Sequence, residues 1–368
     1  MKVHVIGTGL IGTSVGLALA GDADVVLSDT SPTHLDRAVA RGAGRPWDGK
    51  EPSDLVLVCA PPAPTAALLA YAVRLRLGET VSHVASHQSQ VQAEVEAELG
   101  GETGSVCGSH PLAGRERNGP DAATALLFLD RPWVVCPGPR TTAAAVQTVV
   151  ALAEACGAVP VTASADQHDA AVALVSHLPQ VAASAVAARL LREITSAPGG
   201  LDPIRLAGPG VQDTTRIAAS DPDLWVEVLT RNAAHVAPLV QDVSDDLAAV
   251  AEALRQLADA RSPESHGSAS GAVRSLLERG RSGRERLPLK GSRPRPLDSV
   301  VVSISDRPGQ LAAVMVAAAE AGINVEDVHV EHLPGRQRGA VELLVAETEA
   351  APARRALADA GWDVLDGG

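Results

Sequence analysis

The feature that most constrains this chain is Gly7-Thr8-Gly9-Leu10-Ile11-Gly12, a G-x-G-x-x-G turn set between two kinds of periodicity. Residues 2–6 alternate as a short strand before it, and Leu10 to Ala20 follow with helical spacing. Gly7 permits the tight turn, Gly9 lets the backbone approach a pyrophosphate, and Gly12 lets the helix pack closely on a sheet. The helix opening at Leu10 and Ile11 offers unpaired N–H groups and a partial positive charge to phosphate. A second strand, Val25–Asp29, ends in a carboxylate 17 residues beyond Gly12, where it can bond ribose hydroxyls. Thr30, Ser31 and Pro32 follow Asp29, so no Arg or Lys stands ready for a 2′-phosphate. The expected cofactor is therefore NAD rather than NADP, held by Gly7, Gly9, Leu10, Ile11, Gly12 and Asp29. A glycine-rich turn in a non-binding α/β protein is the alternative.

The apolar pattern extends this start into a domain. Residues 54–60 (DLVLVCA) form a near-continuous apolar run, as a strand buried on both faces requires, and Pro61-Pro62 ends it. Helical stretches 64–76 and 90–99 alternate with strand candidates 80–85, 104–108 and 132–136, which predicts a doubly wound, mainly parallel sheet over residues 1–165. Residues 166–195 and 221–258 are long Ala/Val/Leu-rich stretches with helical period, so an all-helical second domain is expected over 166–260. Residues 196–216, with Pro198-Gly199-Gly200 and Gly208-Pro209-Gly210, read as a loop between them. Residues 261–297, rich in Ser, Gly, Arg and Pro with one amphipathic piece at 272–279, read as a basic linker. Residues 298–368 return to βαββαβ order, the ferredoxin-like pattern.

Composition narrows the function classes. The net charge of −13 argues against a nucleic-acid binder, and the nine Lys/Arg among residues 261–297 read as a solvated tether. Four cysteines without C-x-x-C pairing suggest reduced thiols in a cytosolic protein. No uninterrupted apolar run reaches the ~18 residues of a membrane span. A cytoplasmic protein with no membrane or nucleic-acid partner is expected. His83 and His87, four apart, and His168-Asp169 near Ser176-His177 carry residue types found in metal sites and hydrolase triads. Neither has a supporting nucleophile elbow or ligand pattern, and no metal is expected.

Five segments in order resemble the prephenate/arogenate dehydrogenase family. They are GTGLIGTSVGLAL at 7–19, Ser86 after the fourth strand, GSHPLAGRERNG at 108–119, QHDAAVALVSHLPQ at 167–180 and GPGVQDTTRIAASDPDLW at 208–225. The resemblance implies NAD-dependent oxidative decarboxylation of prephenate to 4-hydroxyphenylpyruvate, in tyrosine biosynthesis. Such chemistry needs a base for a hydroxyl proton, a hydride acceptor and anchors for a di-acid. By the resemblance, His110 is the base and Ser86 the serine that hydrogen-bonds it. Arg216 binds a substrate carboxylate, flanked by Glu116 and Asp213, while Ser176, His168, Gln180 and Trp225 line the pocket. The tryptophan is expected to reach in from a second subunit, which implies a homodimer. Taken singly, Ser86 reads as a helix N-cap, Arg216 as a surface arginine and His110 as a satisfied turn histidine.

The chain departs from the family at three positions, with His83 for an acid, Gln88 for a lysine and Gln180 for a histidine. These departures keep arogenate or an amino-substituted prephenate open as substrates, and also a non-catalytic amino-acid sensor with a Rossmann shell. A 3-hydroxy acid dehydrogenase would want a catalytic lysine, and residues 166–258 contain none. At the other end, Asp306-Arg307-Pro308-Gly309-Gln310-Leu311 and Gly322-Ile323-Asn324-Val325 resemble the ACT domain. That likeness implies an amino-acid effector at Gly309 and Asn324 and feedback regulation; a dimerisation module without ligand is the alternative.

Overall fold

Alternating apolar runs and amphipathic stretches sort into an α/β sheet, a helical segment and a second, smaller sheet. A computed structural model describes residues 1–50, 52–114, 117–191, 203–259, 263–287, 297–332 and 338–365. Strands β1 (Lys2–Ile6), β2 (Asp24–Ser28), β3 (Arg45–Pro46), β4 (Ser53–Val58), β5 (Gly78–His83), β6 (Val106–Pro111), β7 (Pro132–Pro137) and β8 (Val159–Thr162) make one sheet. Their order is β3-β2-β1-β4-β5-β6-β7-β8. Every pairing is parallel except β6 with β7. Helices α1 (Leu10–Ala18), α2 (Pro32–Ala40), α3 (Pro62–Arg74), α4 (Ser89–Leu99) and α5 (Ala143–Ala155) connect them. The strand order reverses between β1 and β4, which creates the crevice where open α/β sheets bind ligands.

Strand β4 shows why its sequence lacks alternation. Leu55 and Leu57 enter one core with Val3, Val5, Leu27 and Trp133, while Val56 and Val58 enter another with Leu69, Val81 and Val95. Both faces are covered, so every position from 55 to 58 is apolar. The four cysteines are free thiols, with Cys107, Cys136 and Cys156 buried.

The helical segment begins with α6 (Ala165–Val172), opened by a reciprocal Ser164–Gln167 capping box. A π turn, Ala173–His177, joins it to α7 (Leu178–Arg189) without interrupting the helix. Pro179 withholds an N–H from the preceding turn, and the helix widens there. Residues 165–189 are long and apolar enough to cross a membrane by length and composition, with 28% of the most apolar stretch buried. The same helix holds His168 and Asp169, both buried, and they bond to the sheet domain. That is the arrangement of a helix packed on a protein core.

The predicted loop 196–216 is partly helical: Pro203–Leu206 forms a 3-10 turn and α8 (Pro209–Thr215) starts on Pro209 after Gly208. Proline at the first helical position costs no hydrogen bond, so the Gly-Pro pair opens a helix instead of excluding one. Then follow α9 (Pro222–Arg231) and α10 (Ala233–Asp259). The expected linker is corrected further: α11 (Pro263–Glu285) occupies most of it. Ala269, Val273, Leu276 and Leu277 repeat at helical spacing within the Ser/Gly/Arg composition. Val273 and Leu277 line a groove with Leu254 and Leu257 of α10.

Two compact units divide the chain, Met1–Ala248 and Ala249–Gly368. In the second, β9 (Leu297–Ser305), α12 (Gln310–Glu320), β10 (Asp327–His332), β11 (Arg338–Ala346), α13 (Glu347–Asp359) and β12 (Asp363–Leu365) follow in βαββαβ order. The sheet runs β10-β11-β9-β12, all antiparallel, over a core of Val300, Val302, Val341, Leu343 and Leu357.

Candidate functional site

At the carboxyl end of β1 the glycine turn is built as its spacing requires. Gly7 has a φ of +102°, and a Cβ there would lie 2.7 Å from the Cys59 carbonyl oxygen at the end of β4. A Cβ on Gly12 would lie 1.9 Å from the Gly7 oxygen, which no side chain tolerates. Gly9 is different: a Cβ would meet nothing within 4 Å. It caps α1 without a side-chain bond, and no acid stands in the first turn. The first N–H groups of α1 therefore face open space with no competing carboxylate, and this fits a pyrophosphate.

Asp29 reinforces the turn from the neighbouring strand. Its Oδ2 accepts from the Thr8 N–H at 2.6 Å and hydroxyl at 2.8 Å, and its Oδ1 from the Ser31 N–H at 2.7 Å. Burial opposes its charge, yet these donors outweigh burial and lower its pKa. The carboxylate is thus ionised and oriented beside the glycine turn, as recognition of ribose hydroxyls requires.

A second cluster forms where α6 meets β6. His110 sits on β6, paired with Val134 of β7. Its Nδ1 lies 2.8 Å from Nε2 of His168, and the two rings meet edge to face. Nδ1 of His168 lies 2.8 Å from Oδ1 of Asp169. Asp169 also accepts the backbone N–H groups of Gln88 and Ser89, each at 2.8 Å. Helix α4 has no capping side chain of its own, so a carboxylate from α6 caps it across 80 residues. Asn232 donates to the Asp169 carbonyl at 2.8 Å and lies 3.2 Å from Nδ1 of His177, whose ring meets Trp225.

Burial governs the charge of this cluster. It pushes His83 down to about 3 and His87 down to about 4, helped by His87 and Arg231 respectively. His110 is lowered well below the ordinary imidazole range, first by burial and then by His168, His177, His83 and His87. His177 is also lowered by burial, against the opposing pull of Asp169. Burial works against the charge of Asp169 as well, but hydrogen bonds from His168, Ser89 and Gln88 bring it down to about 2. At neutral pH Asp169 is a carboxylate while burial keeps His83, His87, His110 and His177 neutral, and His110 is able to accept a proton.

Several sequence expectations are corrected here. His110 is bonded by His168 and not by Ser86, which stands half-buried in the β5–α4 loop and makes no hydrogen bond among the described residues. Nor is Ser86 the cap of α4, a place taken by Gln88. Gln88 is 1% exposed, and its amide donates to the Ala85 and Ser109 carbonyls at 2.7 and 3.1 Å. It braces the loop and is not displayed toward a ligand. His83 is likewise structural: its Nδ1 accepts from the Ala85 N–H. His168, expected to line the pocket, is 2% exposed and serves as a bridge. Trp225 is half-buried on α9, with its ring edge to face with His177. Gln180 is buried on α7, Ser176 exposed in the π turn, and Asp213 and Arg216 exposed on and after α8. The 3-10 turn Arg216–Ala219 packs against α7. Glu116 lies outside the described residues. Gly309 begins α12 with a φ of +89°, and Asn324 donates to Glu326 at 2.7 Å. Asp169 and Asn232 join the cluster without having been among the expected site residues. Adjacency of His168 and Asp169 was the available signal, and it was weighed only as metal or triad chemistry and set aside.

Comparison with known proteins places this geometry in context. Residues 16–162 match the family described as prephenate dehydrogenase, nucleotide-binding domain, and residues 164–264 match prephenate dehydrogenase, dimerization domain. The Streptomyces niveus protein named "Probable prephenate dehydrogenase NovF" is 36% identical over 94% of this chain and 94% of its own length. A cyclohexadienyl dehydrogenase of Zymomonas mobilis is 33% identical over 67% of this chain and 85% of its own. Among solved structures, the Aquifex aeolicus prephenate dehydrogenase in complex with hydroxyphenyl propionate and NAD+ shares the fold with a TM-score of 0.63. It is 24% identical, covering 76% of this chain and 98% of that one.

Proposed function

The chain belongs to the prephenate dehydrogenase family, and from that premise we infer that it is an NAD-dependent oxidoreductase converting prephenate to 4-hydroxyphenylpyruvate. The observation that carries this reading is a neutral, proton-accepting His110 on the same sheet whose switch point carries the glycine turn. Gly7, Gly9, Leu10, Ile11, Gly12 and Asp29 hold NAD+, which when bound supplies the hydride acceptor. His110 takes the proton from the ring hydroxyl of the substrate. Loss of CO2 then leaves an aromatic ring, so the protein has mainly to orient the substrate and remove one proton. Arg216 offers a guanidinium fork to a substrate carboxylate. Ser86, Ser176, Gln180, Trp225, Asp213 and Glu116 complete the pocket in this reading, with His168 behind His110.

A homodimer formed through the helical segment is supported by its match to a dimerization domain and by its surface. Leu174, Val175, Leu206, Val226 and Leu247 are each more than half exposed in the single chain. Residues 1–165 serve as the NAD-binding domain and 166–260 as the substrate and dimerisation domain. Residues 298–368 are read as an ACT domain, supported by the 4-1-3-2 strand order and the left-handed Gly309 at the first turn. Tyrosine or a related amino acid bound near Gly309 and Asn324 then inhibits by favouring one conformational state. Titrated tyrosine that neither binds nor changes the rate sinks this regulatory part.

The test is NADH formation with prephenate and, in parallel, arogenate, using His110→Asn as the blank. Turnover that disappears in the variant supports the reading, and the ratio of rates identifies the preferred acid. Turnover with neither, despite NAD binding, overturns it in favour of an amino-substituted substrate or a non-catalytic sensor.

A further inference from the structure

His110 has two ring nitrogens, and a base acting on a substrate hydroxyl needs one of them bare and accessible. Which one is bare is not a property of His110 alone. It is set by the hydrogen bond made at the other nitrogen. Nδ1 of His110 is committed to Nε2 of His168 at 2.8 Å, while Nε2 has no hydrogen-bond partner among the described residues. The direction of the proton in the His110–His168 bond therefore decides whether Nε2 is a base or a donor.

That direction can be read back from Asp169. Its Oδ1 lies 2.8 Å from Nδ1 of His168 and already accepts the Gln88 N–H, while Oδ2 accepts the Ser89 N–H. An ionised carboxylate only accepts, so Nδ1 of His168 must carry the proton of that ring. Its Nε2 is then bare and accepts from Nδ1–H of His110. With one proton on each ring, Nε2 of His110 is left as the acceptor. We propose that Asp169, acting through His168, holds His110 in the tautomer whose Nε2 accepts the substrate proton. Both are positioning residues, and neither touches the substrate. The proposal rests on His110 being the base of the proposed reaction.

The arrangement has a second consequence for position. Asp169 binds the first N–H groups of α4 in the nucleotide domain while standing on α6, and its own carbonyl takes Asn232. A single carboxylate thus sets the proton on His168 and locks the helix that carries it to the loop bearing Ser86. Gln88 closes the same joint, since its amide holds the carbonyl of Ser109, the residue before His110.

Three variants and one spectrum test this. In Asp169→Asn one acceptor oxygen becomes an NH2 donor that must face a backbone N–H in either orientation, and the ionised acceptor that fixed the His168 proton is lost. With the NH2 at the Oδ1 position both ring protons reverse and Nε2 of His110 is blocked. The expected result is a kcat lower by about 10²–10⁴-fold at every pH, with KM for both substrates within roughly threefold. His168→Gln still offers His110 a carbonyl acceptor, whereas His168→Leu does not. The glutamine variant is expected to retain at least roughly tenfold more kcat than the leucine variant at equal cofactor affinity. Nitrogen-15 NMR of the wild-type histidine rings is expected to show His110 protonated on Nδ1, and on Nε2 in Asp169→Asn. A merely structural role lowers the melting temperature of all three without separating glutamine from leucine or moving the ring proton. Equal losses in His168→Gln and His168→Leu, an unchanged kcat in Asp169→Asn, or a wild-type ring protonated on Nε2 each overturns the proposal. Turnover persisting in His110→Asn overturns the base assignment and this proposal with it. Loss in His110→Asn with none in the other variants overturns the positioning role alone.

Discussion

The glycine turn and the histidine cluster lie on the same sheet, yet they are made in opposite ways. The turn is backbone, confined to Gly7–Gly12 and one carboxylate from the adjacent strand, and its geometry follows from what has no side chain. The cluster is side chain, assembled from β6, the β5–α4 loop, α6 and the junction of α9 with α10, with His110 and His168 58 positions apart. A site of the first kind fails through steric intrusion. One of the second kind fails through the wrong proton or an unpaired polar atom.

The contrast is sharpest in rate. His110→Asn is expected to lower kcat by about 10²–10⁴-fold while leaving NAD binding near wild type, checked by steady-state kinetics and cofactor titration. An equal loss of NAD affinity breaks the separation of the two regions. Gly12→Ala is the reciprocal case. Its Cβ collides with backbone that has no room to yield, so unfolding free energy is expected to drop by at least ~1–3 kcal/mol. Cofactor affinity falls with it, and denaturant melts with NAD titration check both.

Acid should strike the cluster and spare the turn. His83, His87, His110 and His177 have folded pKa values below their unfolded ones, so the unfolded chain binds more protons once pH falls below about 6.5. Stability is then expected to be full above that pH and to decline toward pH 3. Below about pH 4 the loss of Asp169 ionisation adds to it, because that group is held at about 2. Thermal melts across this range, compared with His87→Gln, measure the share from one ring whose nitrogens both lack partners among the described residues. A flat profile contradicts the burial assigned to these rings. The smallest effect belongs to Gly9→Ala. With nothing within 4 Å of the new methyl, its melting temperature should stay near wild type while NAD binding weakens roughly tenfold. If stability falls instead, the space at Gly9 serves packing and not phosphate.

Much of the fold was legible because it is local. The strand before Gly7, the doubly covered β4 and the βαββαβ order near the C-terminus each rest on spacing within a few residues. Two readings failed where composition spoke louder than periodicity: α11 hides its apolar stripe among Ser, Gly and Arg, and Pro209 opens a helix where a loop was expected.

The site divides along the same line. By itself the sequence determined the cofactor turn, the carboxylate at Asp29 and the candidacy of His110, since each depends on neighbours in the chain or on a motif. Only the tertiary structure decided what surrounds His110. Ser86 was the expected partner, yet His168 holds the ring; Gln88 looked like a lost cation, yet its amide is spent on two buried carbonyls. Asp169 was given no role by the sequence, and it caps a helix that begins 80 residues earlier. Hydrogen bonds and burial between distant segments carry no period in the sequence, and they are what choose the tautomer and charge of each ring.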